Sequence, residues 1–233
     1  MTTSWTYIEY LLRDRAALYR AVERDEDAQT IMRAMLLTIF VGAAVFGASI
    51  GSYRGGIQTV FAALKFPIVL LATAAICAPV LTTLEMALGN RGRWRRDLIL
   101  VATAMATGAM WLVTLAPLIV LADVFEVAYH KFILLLAASF AVSGIAALLM
   151  LGKGIRNLTG VASTGRSVVL LTVFALVGMQ MSWTFRPYVV RPRAETVPFV
   201  RSLDGSLVEA LVNSARSANG EYSRDEAPLP EGS

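Results

Sequence analysis

The stretch Ala34–Tyr53, AMLLTIFVGAAVFGASIGSY, runs for 20 residues without a charged side chain. A helix rises about 1.5 Å per residue, so a run of this length matches a hydrocarbon core about 30 Å thick. Four more such runs follow, at Phe66–Leu84, Leu98–Ala122, Phe132–Leu151 and Ser167–Phe185. Only helices or closed barrels satisfy backbone polar groups in lipid, and runs of this length read as helices. The pattern predicts an all-α, polytopic transmembrane bundle of five helices. An N-terminal amphipathic interfacial helix precedes it and a short extracytoplasmic tail follows it.

Composition agrees with that architecture. Over 233 residues the hydrophobic fraction is 56% and the mean hydropathy +0.61, above the range of soluble domains. The chain divides into a cytoplasmic amphipathic segment (1–33), a transmembrane domain (34–185), an extracytoplasmic tail with a short helix (186–220) and a disordered terminus (221–233). The net charge of +4 does not point to nucleic acid, because most basic residues flank the apolar runs, where membrane orientation places them. The single cysteine, Cys77, lies inside the second run and reads as a small buried hydrophobe. The first 30 residues are charged throughout, so the first span is expected to serve as an uncleaved signal anchor.

The charges between runs set the orientation. Arg13, Arg15, Arg20, Arg24 and Arg33 precede the first run; Arg91, Arg93, Arg95 and Arg96 follow the second; Lys153, Arg156 and Arg166 follow the fourth. The alternate loops hold Arg54, Lys65 and Lys131, giving 12 basic residues on one side against 3 on the other. Even with Arg186, Arg191, Arg193 and Arg201 of the tail added, the N-terminus is expected in the cytoplasm and the C-terminus outside.

At the N-terminus, Trp5, Ile8, Leu11, Leu12, Leu18, Tyr19 and Val22 recur at helical spacing after a capping Ser4, opposite Glu9, Arg13, Arg20 and Glu23. Such a helix lies in the membrane interface, against the cytoplasmic ends of its own bundle, or on both at once. In the tail, Arg186-Pro187 and Arg191-Pro192 favour extended chain. Ser206 and Glu209 form a capping box for a helix stopped by Gly220.

Within the runs, Ala43, Gly47, Gly51 and Gly55 form a small-residue stripe. A second lies at Ser139, Ser143 and Ala147, and Ala104 and Gly108 mark a third helix. Small residues let backbones approach closely, serving packing within one chain or association between chains. Pro67 is expected at the start of the second helix, whereas Pro79 and Pro117 fall inside helices and should perturb them. Gln180 is the strongly polar residue well inside the fifth run. Glu85, Asp123 and Glu126 are expected at interfaces. The one histidine, His130, stands beside Lys131 with no ligand set or nucleophile–base pair around it, so neither a metal, a cofactor nor an enzymatic reaction is expected.

Certain strings resemble those of a family of uncharacterised bacterial five-helix membrane proteins. They are Gly47 and Gly51 followed by Gln58, Ala63, Lys65 and Pro67; Ile76-Cys77-Ala78-Pro79 with Gly89; Ala116-Pro117; and the exit string Gln180, Trp183, Arg186, Pro187 and Tyr188. A later segment, Arg201 to Leu207, resembles the family's but has Asp204 where the pattern has glutamate. In topology the chain also resembles Yip-type membrane proteins, which shape and traffic membranes. The resemblance implies the five-helix fold and supplies no activity. Trp183 and Arg186 suit an outer-interface anchor, or a polar seam with Gln180.

These features lead to the expectation of a non-enzymatic scaffold or assembly component of a bacterial inner membrane. It is expected to be homo-oligomeric, in contact with membrane lipids, and to have a periplasmic or cytoplasmic protein partner. The alternative is a small-solute or lipid transporter or channel, suggested by Pro79, Pro117 and Gln180, with a groove lined by Gln180, Ser139 and Ser143.

Overall fold

The computed structural model describes residues 4–24, 27–52, 56–87, 93–125, 127, 129–159, 168, 172, 175 and 176. Within them the chain forms six helices and no strand: α1 (Ser4–Arg13), α2 (Arg15–Glu23), α3 (Ala28–Ser52), α4 (Ile57–Ala87), α5 (Trp94–Val124) and α6 (Tyr129–Thr159). Helices α3 to α6 are long and apolar enough to cross a membrane. Most of the fifth run, and all of the tail, lie outside the described residues.

The N-terminal amphipathic segment is two helices rather than one. Asp14 breaks it and caps α2, its carboxylate accepting from the Ala17 N–H at 3.0 Å. Both helices pack on the bundle: α1 against α3, and α2 against α5 and α6. Their buried residues, Tyr7, Leu11, Leu18, Tyr19 and Val22, join the core. At the start of α3, Asp27 takes φ +49°, a left-handed conformation that aspartate tolerates better than most residues.

Helix α4 begins at Ile57, well before the apolar run at Phe66. Two expectations change as a result. Ten residues of α4 precede Pro67, so this proline is inside the helix rather than at its start. Lys65 belongs to the same helix, not to the loop, and is only 6% exposed. A lysine and a proline look like stop signals in sequence. Inside a bundle, however, the lysine stem packs on apolar neighbours, and the rest of the hydrogen-bond ladder carries the helix past the proline. Pro79 and Pro117 lie inside α4 and α5, as their positions predict.

Contacts at glycines give the helix directions. Gly47 faces Ala62 and Phe66, whereas Gly51 faces Gln58 and Thr59, so α3 and α4 run antiparallel. Gly108 faces Ser143 and Ala147 while Gly154 meets Leu100, which makes α5 and α6 antiparallel too. Helices α3 and α5 pack together along their length, Gly42 meeting Ala109. Side chains fill the bundle in two tiers. One holds Ile31, Met35 and Ile39 of α3 with Cys77 and Leu81 of α4, Leu100 of α5, Met150 of α6 and the residues of α1 and α2. The other holds Phe46, Phe66, Leu112, Ile119 and Phe132, with the rings of Phe66 and Phe140 stacked at 5.6 Å. Helices α4, α5 and α6 have 31 residues each and span about 46 Å. That exceeds a hydrocarbon core of about 30 Å. The excess at the first tier is where α1 and α2 sit.

Candidate functional site at the capped end of the bundle

A buried charged cluster lies where α4 ends and α5 begins, at the end of the bundle that α1 and α2 cap. Asp97, in the first turn of α5, is 0% exposed. The Thr82 hydroxyl of α4 donates to its Oδ2 at 2.9 Å, and Arg96 donates to Oδ1 through Nε and Nη2, both at 3.1 Å. The Arg96 side chain is itself largely buried in this pair. A carboxylate near a helix N-terminus also faces the positive end of the helix dipole. A charge removed from water this completely is costly unless paired and hydrogen-bonded, and here both conditions hold. The group ties the end of α4 to the start of α5.

On the opposite flank the Tyr19 hydroxyl donates to the Met150 carbonyl at 2.8 Å and lies 2.9 Å from its Sδ. Gly154 makes room for the ring: a Cβ there would stand 3.0 Å from Tyr19 Cε1. Burial pushes the Tyr19 phenol up to about 12, with the charge of Arg15 acting the other way. Tyr19 therefore latches α2 to α6 as a neutral donor. Exposed cations at this end include Arg15, Arg20, Arg33, Arg93, Arg95, Lys153 and Arg156.

The residues singled out from the sequence fall into three groups. Gly47 and Gly51 are spent on α4: a Cβ at Gly47 would lie 2.5 Å from the Ala62 carbonyl oxygen, and one at Gly51 2.5 Å from Thr59 Cα. Ser143 binds α6 to α5, its hydroxyl donating to the Gly108 carbonyl at 2.9 Å; Ser139 donates to Leu135 of its own helix at 2.8 Å. Lys65 and Gln58 are both buried on α4, with Lys65 Nζ 5.4 Å from the Phe61 ring centroid. Pro67 and Pro79 share α4 with them, and Pro117 sits far along α5. Gly55, Gln180, Trp183, Arg186 and Pro187 lie outside the described residues.

Asp97 and its partners were missed by the sequence reading. Arg95 and Arg96 were expected in the loop after the second run, whereas together with Asp97 they lie in the first turn of α5. An acidic residue just before an apolar run is a helix-start signal that could have placed it there. No cluster of three or more potential metal ligands occurs among the described residues. No protein-family model, curated protein or solved structure matches this chain.

Proposed function

We propose that this chain is a non-enzymatic scaffold or assembly component of a bacterial cytoplasmic membrane, working as a homo-oligomer. Its N-terminal cap faces the cytoplasm, and its tail emerges on the other side to meet a protein partner. The charge asymmetry of the connecting segments supports the orientation. The five-helix count and the kinship with the bacterial family and with Yip-type proteins belong to the same proposal.

The observation that carries a structural role over transport is how the polar side chains are used. The hydroxyls of Thr38, Thr73, Thr107 and Ser139 donate to carbonyls one turn back on their own helices. Ser143 and Thr82 donate across helix contacts. Hydroxyls engaged in this way support packing rather than a wet path. Purification in mild detergent followed by mass measurement tests the assembly claim. The expected result is a discrete multiple of 25.2 kDa; a monomer at every concentration refutes it.

Transport is the rival reading, and buried Lys65 with Gln58 is what favours it, since an ionisable group within a span marks a solute path by default. Solute flux in proteoliposomes that disappears in Lys65→Ala would establish this reading in place of the scaffold.

A further inference from the structure

The capped end carries a strong charge asymmetry. Arg15, Arg20, Arg33, Arg93, Arg95, Lys153 and Arg156 are exposed, and none has a carboxylate within ion-pair distance among the described residues. They come from α2, the second turn of α3, the start of α5 and the last turns of α6, helix segments on the side of the bundle that α1 and α2 cap. Of the described acids nearby, Asp97 is buried with Arg96, Asp14 caps α2, Glu9 lies 3.6 Å from Arg13 and Asp27 accepts from the Tyr7 hydroxyl at 3.4 Å, while Glu23 is exposed. At the opposite end, Lys131 is the exposed cation among the described residues.

Helix α1 adds a second observation. Tyr7 and Leu11 are buried in the bundle, yet Trp5 is 75% exposed and Leu12 55%. Trp5 and Leu12 are seven residues apart and share a side of the helix. The helix thus has an apolar face against the bundle, while Trp5 and Leu12 point outward on a side they share with the exposed Glu9–Arg13 pair. Exposed indole and leucine side chains at the same end as exposed guanidinium groups match the boundary between acyl chains and anionic headgroups.

We propose that the capped end is a binding surface for anionic phospholipid headgroups. The exposed cations hold the phosphates, and Trp5 and Leu12 enter the acyl boundary. Its occupant is lipid of the membrane the bundle spans. The inference rests on membrane insertion and is independent of the assembly reading.

The test uses the full chain in neutral detergent, given phosphatidylglycerol or phosphatidylcholine and weighed by native mass spectrometry. Phosphatidylglycerol should be retained preferentially at low salt, with the preference falling as ionic strength rises. Lys153→Gln and Arg156→Gln should each weaken that retention about fivefold. Lys131→Gln should leave it unchanged. In nanodiscs, phosphatidylglycerol should blue-shift tryptophan emission, and Trp5→Phe should remove that shift. Thermal unfolding of the variants confirms that each is folded. Equal retention of the two lipids, or full retention by the Lys153→Gln/Arg156→Gln double variant, overturns the proposal and assigns these cations to an acidic protein segment instead. A monomeric chain that still selects phosphatidylglycerol would sink the scaffold reading while leaving this one standing.

Discussion

Replacing Gly47 with alanine adds a single methyl group, and the structure gives its surroundings. That methyl would lie 2.5 Å from the Ala62 carbonyl oxygen and 2.9 Å from the Phe66 Cβ. Comfortable contact is about 3.5 Å, so α3 and α4 must separate by roughly 1 Å. The obstructing atoms are the backbone of α4 and a Cβ, and no rotamer change moves either. Overpacking of this kind costs about 1–3 kcal/mol. Alanine returns about 1 kcal/mol through its better helix propensity. The net expectation is a loss of roughly 0–2 kcal/mol.

Gly144 supplies the internal control. A Cβ there meets nothing within 4 Å, so only the propensity gain remains and Gly144→Ala should be neutral or stabilising. The two variants make the same chemical change in long apolar helices and should differ by about 2 kcal/mol in opposite directions. Unfolding in neutral detergent titrated with dodecyl sulfate, followed by helical circular dichroism, measures that difference. Gly47→Ala should unfold before the parent chain and Gly144→Ala with it or after it. If Gly47→Ala proves as stable as Gly144→Ala, the close α3–α4 approach is wrong, and with it the conclusion that this stripe is used up within one chain.

The same titration reads three further variants. Arg96→Ala strands the fully buried Asp97 carboxylate and should cost about 3–5 kcal/mol, whereas Thr82→Val removes one hydrogen bond and should cost about 1 kcal/mol; equal losses would refute the buried-pair argument. Tyr19→Phe should cost about 1 kcal/mol at neutral pH. The folded pKa is raised from 10.0 to about 12, so the contribution of this hydroxyl is complete below pH 10 and lost as pH climbs through 12. The parent chain should therefore destabilise over that window while Tyr19→Phe stays flatter, and parallel pH profiles would exclude the latch. Ser143→Ala deletes the α6–α5 hydrogen bond and should cost about 0.6 kcal/mol, near the mean for interhelical bonds in membranes. Ser139→Ala, which removes only a bond within α6, serves as its comparison.

Helix type follows from composition because lipid admits few alternatives. Four of the five apolar runs coincide with α3 to α6, since an uncharged run of about 20 residues has to form its backbone hydrogen bonds internally. The small-residue stripes were readable as packing surfaces for the same reason: a glycine in a span matters mainly through what can approach it. Charge is a less reliable guide to boundaries. Lys65, Arg95 and Arg96 looked like loop because charges belong in water, yet α4 and α5 include them, along with Asp97. Each has a neighbour that changes that cost: the Phe61 ring one turn from Lys65, and Thr82, 15 residues from Asp97 in sequence and 2.9 Å away in space.

The sequence by itself determined a chain of helices long and apolar enough to cross a membrane, with most of the described cations toward one end, because the hydrocarbon thickness and the cost of charge in it leave little freedom. It left open whether the N-terminal amphipathic segment packs on its own bundle, and whether Gly47 and Gly51 join two copies or two helices. Only the tertiary structure decided these points. Tyr19 reaches Met150 across 131 residues, and α4 occupies the surface that the glycines open. Periodicity identifies a face that must be covered; the packed chain supplies the partner that covers it.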